Sequence, residues 1–143
     1  METVMANNVQ FSIAVHILAA LGCRCDKDTR SATLAASVNT SASFVRRTLS
    51  KLSKAGLVET ATGKAGACWL ARDARDISLL DVYQAVDAPK AFAIHGYPEL
   101  KVCAVSCHIK AALEKALAKT QKALEAGLAE ISLAQVVSAV RKK

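Results

Sequence analysis

The stretch from Ser31 to Leu57, SATLAASVNTSASFVRRTLSKLSKAGL, constrains the fold more than any other part of this 143-residue chain. Two short helical patterns flank a polar break at Asn39-Thr40-Ser41. In the second, Val45, Leu49 and Leu52 recur at steps of four and three, which builds one apolar helix face. The opposite face carries Ser43, Arg46, Arg47, Ser50, Lys51 and Lys54. Ser41 suits an N-cap because its hydroxyl can accept an orphan backbone N–H, and Gly56 stands where a helix should stop. The first helix offers Leu34, Ala35 and Val38 for burial. Two short helices, a tight turn and a basic outward face predict a helix-turn-helix. On such a face hydroxyls and guanidinium groups read base edges, and lysines hold phosphates. The competing reading is a plain helical hairpin with solvated charges.

The next residues favour the first reading. Val58-Glu59-Thr60 has the pattern of a short strand, Thr62 to Ala67 of a glycine-bearing turn, and Cys68 to Arg72 of a returning strand. A hairpin directly after a recognition helix is a wing, and Lys64 at its tip suits a phosphate or the minor groove. Charge is distributed to match. Ser31 to Arg72 holds six lysines and arginines against one glutamate, net +5, whereas Asp73 to Val102 is net −2. The whole chain is +7. A basic excess gathered on the proposed reading head is the electrostatic footprint of a DNA binder.

Other features bound the fold class. A composition 52% hydrophobic but only 4% aromatic favours helices, and the length suffices for one domain with a proper core. The chain divides into a winged helix-turn-helix region, residues 1–72, and a region of linker helix, sensor loop and dimerisation helix, residues 73–143, in one compact unit. No apolar run approaches the ~18 residues of a membrane span. The opening METVMANN lacks a basic segment followed by an apolar one, so a cytoplasmic location is expected. Five cysteines there do not read as a disulfide scaffold.

In chain order, Val9 to Leu21 forms a largely apolar helix ended by Gly22, with His16 partly exposed or internally satisfied. Ser78 should cap a helix through Val86. Lys90 to Ser106, with His95, Gly96, Pro98 and Cys103, reads as a long irregular segment, and such segments often carry function. From about Cys107 to Glu130 a helix some 36 Å long follows, estimated at about 1.5 Å per residue. Leu113, Leu117, Thr120, Leu124, Gly127 and Ile131 form a heptad-like seam along it, which predicts a dimer helix. Ser132 then caps a last short helix, and Arg141-Lys142-Lys143 should be a solvated terminus.

These pieces together resemble the Rrf2 family of bacterial winged-helix transcriptional regulators over about Val9 to Val137. The resemblance rests on Ser37-Val38-Asn39-Thr40, Val45-Arg46-Arg47, Lys54-Ala55-Gly56-Leu57-Val58, Leu70-Ala71-Arg72 and Ile77-Ser78-Leu79-Leu80-Asp81-Val82-Tyr83. His95-Gly96-Tyr97-Pro98 leading to Cys103-Ala104-Val105 is similar to the YwnA-like branch. It implies a homodimer joined through the long helix, a double-stranded DNA operator as partner, and a mainly α fold: a winged helix-turn-helix with a small β-hairpin wing and a long C-terminal dimerisation helix. Well-known members sense through an iron–sulfur cluster held by three cysteines of the loop ahead of that helix. Here the loop offers two, Cys103 and Cys107, with His108 adjacent. At the wing, Gly66-Ala67-Cys68-Trp69 replaces the Gly-Gly-aromatic sequence of many relatives.

The cysteines admit three readings. Cys107 near a helix N-terminus would have its thiolate favoured by the helix dipole, which makes Cys103 and Cys107 candidate redox sensors. Inert burial is the second reading. Metal or cluster binding by Cys103, Cys107, His108 and a distant ligand is the third. Cys68, and Cys23 with Cys25, are secondary sensing candidates; so close a pair does not easily close a disulfide in regular structure. No catalytic constellation or phosphate loop is present, so an enzyme is not expected. The sequence thus predicts a homodimeric repressor without a cofactor, whose operator affinity responds to a small oxidant or electrophile. A cluster- or metal-responsive regulator is one alternative, and a winged-helix module that binds protein is the other.

Overall fold

A computed structural model describes residues 2–23, 29–61 and 67–142, with side chains from residue 9 onward. Its elements are α1 (Glu2–Cys23), α2 (Ser31–Val38), α3 (Ala42–Lys54), β1 (Val58–Thr60), β2 (Cys68–Leu70), a 3-10 turn (Ala74–Asp76), α4 (Leu79–Ala85), α5 (Ala104–Ala129) and α6 (Leu133–Arg141). The two strands pair antiparallel, with Val58 opposite Leu70, Glu59 opposite Trp69 and Thr60 opposite Cys68. This is the mainly α, winged helix-turn-helix architecture expected from the sequence.

α1 is the central post and touches α2, α3, α4, α6 and β2. Its Ala14, Ile17, Leu18 and Leu21 are buried among Val45 and Leu52 of α3, Val82 of α4 and Leu133 of α6. A helix apolar on this much of its circumference has to be surrounded. The sequence reading ended it at Gly22, but the helix continues through Cys23 and begins well before Val9. Gly22 serves a close approach instead: a Cβ there would stand 3.0 Å from Val137 Cγ2 of α6. The basic tail also differs from expectation. Arg141 donates to the carbonyls of Gly22 and Cys23, tying the end of α6 to the orphan carbonyls of α1.

α4 and α6 start side by side. Ser78 and Ser132 are each the N-cap of a full capping box, closed by Asp81 and Gln135 respectively. The two serines also face each other in an isolated antiparallel bridge, in which Leu79 N–H donates to Ile131 O and Leu133 N–H to Ile77 O.

α5 is of another kind. It is 26 residues long with no buried residue, which makes it about 39 Å of helix lying outside the core. It packs on α4. Tyr83 of α4 accepts from Gln121 Nε2 at 2.9 Å, donates to Pro89 O and meets Phe11 of α1 edge-on. The helix begins at Ala104 rather than near Cys107, because Cys103 takes the N-cap position, a place where serine or aspartate is the usual occupant.

Candidate nucleic-acid interface

α2 ends on Asn39, whose positive φ of 65° turns the chain toward α3. Ser41 Oγ then accepts the Phe44 N–H at 3.1 Å and fixes the start of α3. At the other end Gly56 takes φ 77°, and Leu57 N–H reaches back to Leu52 O at 2.9 Å. Val45, Thr48, Leu49 and Leu52 are buried, so the exposed side of α3 is fixed in direction. Thr48 is at home there because its hydroxyl donates to Phe44 O.

Ser43, Arg46, Arg47, Ser50, Ser53 and Lys54 are exposed on that side. No acidic residue occurs on α3. Arg46, Ser50 and Lys54 line a shallow groove of about 350 Å³ with Ser53 of the same helix and Thr60 of the wing. The Arg47 guanidinium lies 5.4 Å over the Phe44 ring, a cation–π contact that steadies its stem. Lys51 stands at the margin, half-buried, with its Nζ 3.5 Å from Gln10 Oε1 of α1. Ser53 was not anticipated from sequence; its place beside Arg46 follows only once the buried face is known. Lys64 and Cys25 lie outside the described residues.

The hairpin adds two features that sequence reasoning missed. Trp69, 47% exposed, donates from Nε1 to Glu59 Oε2 across the strands at 2.9 Å. Arg72 belongs to the basic excess of the reading head, yet it is used internally. Its guanidinium donates to Ala55 O and Gly56 O at 3.3 Å and to Asp76 O at 3.5 Å, and it lies 3.9 Å from Asp81. It thereby satisfies the two carbonyls just past the end of α3 and joins them to the capping box of α4. A lone arginine two residues after a strand gives no sequence signal for this.

The cysteines separate into distinct environments. Cys68 is buried, its thiol donates to Thr29 O at 3.2 Å, and burial pushes it up to about 11. That argues against Cys68 as a sensing thiol, because the reactive thiolate is suppressed. Cys23 is buried at the end of α1 and disulfide-bonded. Cys103 and Cys107 are free and half-buried. Cys103 Sγ accepts the Ser106 N–H at 3.4 Å, so it faces the positive end of α5. Cys107 Sγ donates to Leu100 O and Lys101 O at 3.6 and 3.8 Å. The loop folds back on this turn: Tyr97 Oη donates to Ser106 O, and Ser106 Oγ accepts from Leu100 N–H at 2.8 Å.

His108 is one residue past Cys107, about 100° round the helix, and exposed. Among the described residues no three His, Cys, Asp or Glu side chains are grouped to hold a metal ion. Two thiols fall short of the four ligands an iron–sulfur cluster takes, so the described donors do not form a cluster site.

Along the predicted seam, Leu113 and Leu117 are half-buried, and Leu117 lines a cleft of about 80 Å³ with Phe92, Ile94 and Gln121. Thr120, Leu124 and Ile131 are exposed, the two aliphatic ones at 38% and 39%.

Comparison with known proteins agrees with this geometry. The family model for Rrf2, an iron-dependent transcriptional regulator, matches residues 7–139. The chain is 39% identical over 132 residues to YwnA of Bacillus subtilis (strain 168), a candidate HTH-type transcriptional regulator, spanning 92% of this chain and 96% of that one. The crystal structure of a candidate DNA-binding protein superposes with a TM-score of 0.70 at 35% identity, covering 89% of this chain and 97% of the other. A candidate transcriptional regulator from Lactobacillus plantarum shares the fold at a TM-score of 0.79 and 23% identity, over 94% and 91% of the two chains.

Proposed function

Because the chain belongs to the Rrf2 family of DNA-binding transcriptional regulators, which are not enzymes, we propose that it is a homodimeric repressor whose operator affinity responds to modification of Cys103 and Cys107. The observation that carries the DNA-reading surface is the exposed side of α3, where Ser43, Arg46, Arg47 and Ser50 stand together with no acidic neighbour on the helix. Ser41 serves the entrance of that helix as its cap, Lys51 supplies a phosphate contact at its margin, and Lys64, outside the described residues, is given the same role on its sequence position alone. The support for a dimer is α5, a long helix with Thr120 and Leu124 uncovered, and Ile131 uncovered just beyond its end.

The support for thiol control is the placement of two thiols in the first turn of that helix. The Cys103 thiolate attacks a peroxide oxygen, giving a sulfenic acid and releasing water. The Cys107 thiol then displaces a second water to form a disulfide, so two thiols lose two electrons and one peroxide gains them. Cys103 is the extended N-cap of α5 and Cys107 lies one turn into the helix, with its thiol on Leu100 O and Lys101 O. A disulfide, whose Cβ atoms stand roughly 4 Å apart, breaks these contacts and the Cys103 cap on Ser106 N–H, and so disturbs the start of the dimer helix. Two recognition helices must enter grooves about 34 Å apart, so a change in that helix lowers affinity.

The test is an operator gel shift on reduced and peroxide-treated protein at several salt concentrations. Reduced wild type should bind with a steep salt dependence and release on oxidation, and the Cys103→Ser, Cys107→Ser double mutant should bind and not release. A double mutant that releases like wild type refutes the sensor assignment. An absence of salt-dependent binding in any state refutes the DNA-binding surface.

A further inference from the structure

Away from the recognition helix and the sensor loop, a cavity of about 490 Å³ opens between α1, α2 and α6. Its volume falls within the range of small-molecule sites, about 300–1,000 Å³. The walls are apolar, with Val15 and Ala19 from α1, Leu34 from α2 and Val136 from α6. Small side chains at Ala19 and Ala20 leave room between the helices. Ser12, Thr29 and Thr33 add polar groups to the lining; Thr29 Oγ1 already accepts from Cys68 N–H at 3.1 Å, and His16 Nε2 lies 3.0 Å from Ser37 Oγ and joins α1 to α2. No Asp, Glu, Lys or Arg is among the described lining residues.

That lining selects its ligand. An ion would lose its hydration and find no counter-charge among the described lining residues, which is costly in an apolar site. A purely apolar molecule would leave the His16–Ser37 pair covered without a further partner. We propose that the cavity binds a neutral ring compound carrying one hydroxyl or carbonyl group, which bonds to the His16–Ser37 pair while its ring lies against Val15, Ala19 and Leu34. The imidazole has one donor and one acceptor nitrogen when neutral, and the serine hydroxyl can donate or accept, so either group on the ligand is served.

The position gives occupancy a consequence. α2 supplies Leu34 and Ser37 to the cavity on one side and packs on α3 on the other. A ring wedged beneath α2 shifts the support of the recognition helix, so the ligand changes operator affinity. This last step rests on the DNA-binding reading; the binding site itself does not. The cavity is also separate from the thiols at the start of α5, so it is a second input.

The test uses 1-naphthol, naphthalene and 1-naphthoate as probes on the full-length protein with its Cys23 disulfide closed. Calorimetry should give one 1-naphthol per chain with micromolar affinity, naphthalene weaker by about threefold to tenfold for the missing hydrogen bond, and no binding of the anion. Amide shifts in NMR spectra should centre on His16, Ala19, Leu34 and Val136. Ala20→Leu should abolish binding by filling the space, and His16→Phe, at an exposed position, should erase the preference for naphthol over naphthalene. A gel shift with saturating 1-naphthol should show at least a threefold change in operator affinity. Failure of 1-naphthol to bind saturably, shifts centred on α5 or its preceding loop, or tight binding of the anion would each overturn the site. Binding with unchanged operator affinity would overturn its regulatory role. A protein that never binds DNA would leave the calorimetric and NMR results standing and fail the DNA-binding reading alone.

Discussion

Replacing Arg72 by alanine tests whether a basic residue of the reading head acts on the protein rather than on DNA. The guanidinium donates to three carbonyls, those of Ala55, Gly56 and Asp76, at 3.3–3.5 Å, and pairs with Asp81 at 3.9 Å. The Arg72 and Asp81 side chains are 41% and 37% exposed, so water screens the ion pair. It is worth no more than about 0–1 kcal/mol. The hydrogen bonds are long and water can replace them, which places them near the bottom of the usual range, about 0.5 kcal/mol each. The sum is about 1.5–2.5 kcal/mol. At roughly 2–4 °C per kcal/mol for a chain of this size, the melting temperature should fall by about 3–10 °C. Because the lost contacts hold the end of α3, operator affinity should fall several-fold at a temperature where the variant is still folded. Thermal melts by circular dichroism and an operator titration at 15 °C measure the two effects. Arg72→Lys should recover only part of each, since a single ammonium cannot bridge the α3 carbonyls and Asp81 together. An unchanged melting temperature in the alanine variant would refute the capping role. Lost affinity without lost stability would place Arg72 on DNA instead.

Arg46→Ala should lower operator affinity by about 1–3 kcal/mol and relax specificity at one base if the side chain reads a guanine, whereas a uniform loss over all sequences marks a phosphate contact; a titration on a panel of operator variants distinguishes them. Leu124→Glu with Ile131→Glu should give a folded monomer by light scattering, because both side chains are already more than a third exposed; an unchanged mass would move the dimer contact elsewhere. Alkylation by iodoacetamide at pH 8 should modify Cys103 and Cys107 and spare Cys68 until the protein unfolds. The folded thiol of Cys68 is pushed to about 11 from 9.0, so its contribution to stability is full below about pH 9 and declines as pH rises toward 11; a Cys68→Ala variant should lack that step in a pH series of chemical melts.

The helix-turn-helix was readable because its signals are local. Val45, Leu49 and Leu52 give the buried face, while Ser41 and Gly56 give the ends, and each depends on residues within one helix. Where the reading slipped, a second element had decided the matter. Gly22 carries the signal of a helix stop, but its missing Cβ is used by Val137, over a hundred residues later. Cysteine carries no cap signal in a sequence, so the pattern places the start of α5 near Cys107 although Cys103 holds the N-cap. Lys51 looked like the rest of the basic face until Gln10 of α1 was found beside it. The seam of α5 was legible as a spacing, but the division between Leu117, drawn to the loop, and Leu124, left uncovered, was not. The cavity between α1, α2 and α6 had no sequence signature, because its walls come from three separate stretches.

The bridge between Ser78 and Ser132 makes α5 a lever. α4 begins at Ser78 and α6 at Ser132, and these two points are fastened to each other. α5 ends at Ala129, three residues short of that fastening, and its other end carries Cys103. With an arm of about 39 Å, a displacement of about 3 Å at the thiols reaches the fulcrum as a turn of about 4°. There it meets the first residues of α4 and α6 together. α4 leads through Asp81 and Arg72 to the end of the recognition helix. α6 leads through Val136 to the cavity wall and through Arg141 to the end of α1. Under the proposed thiol control, chemistry at the tip of the arm would arrive at the reading head as a rotation shared by two helices.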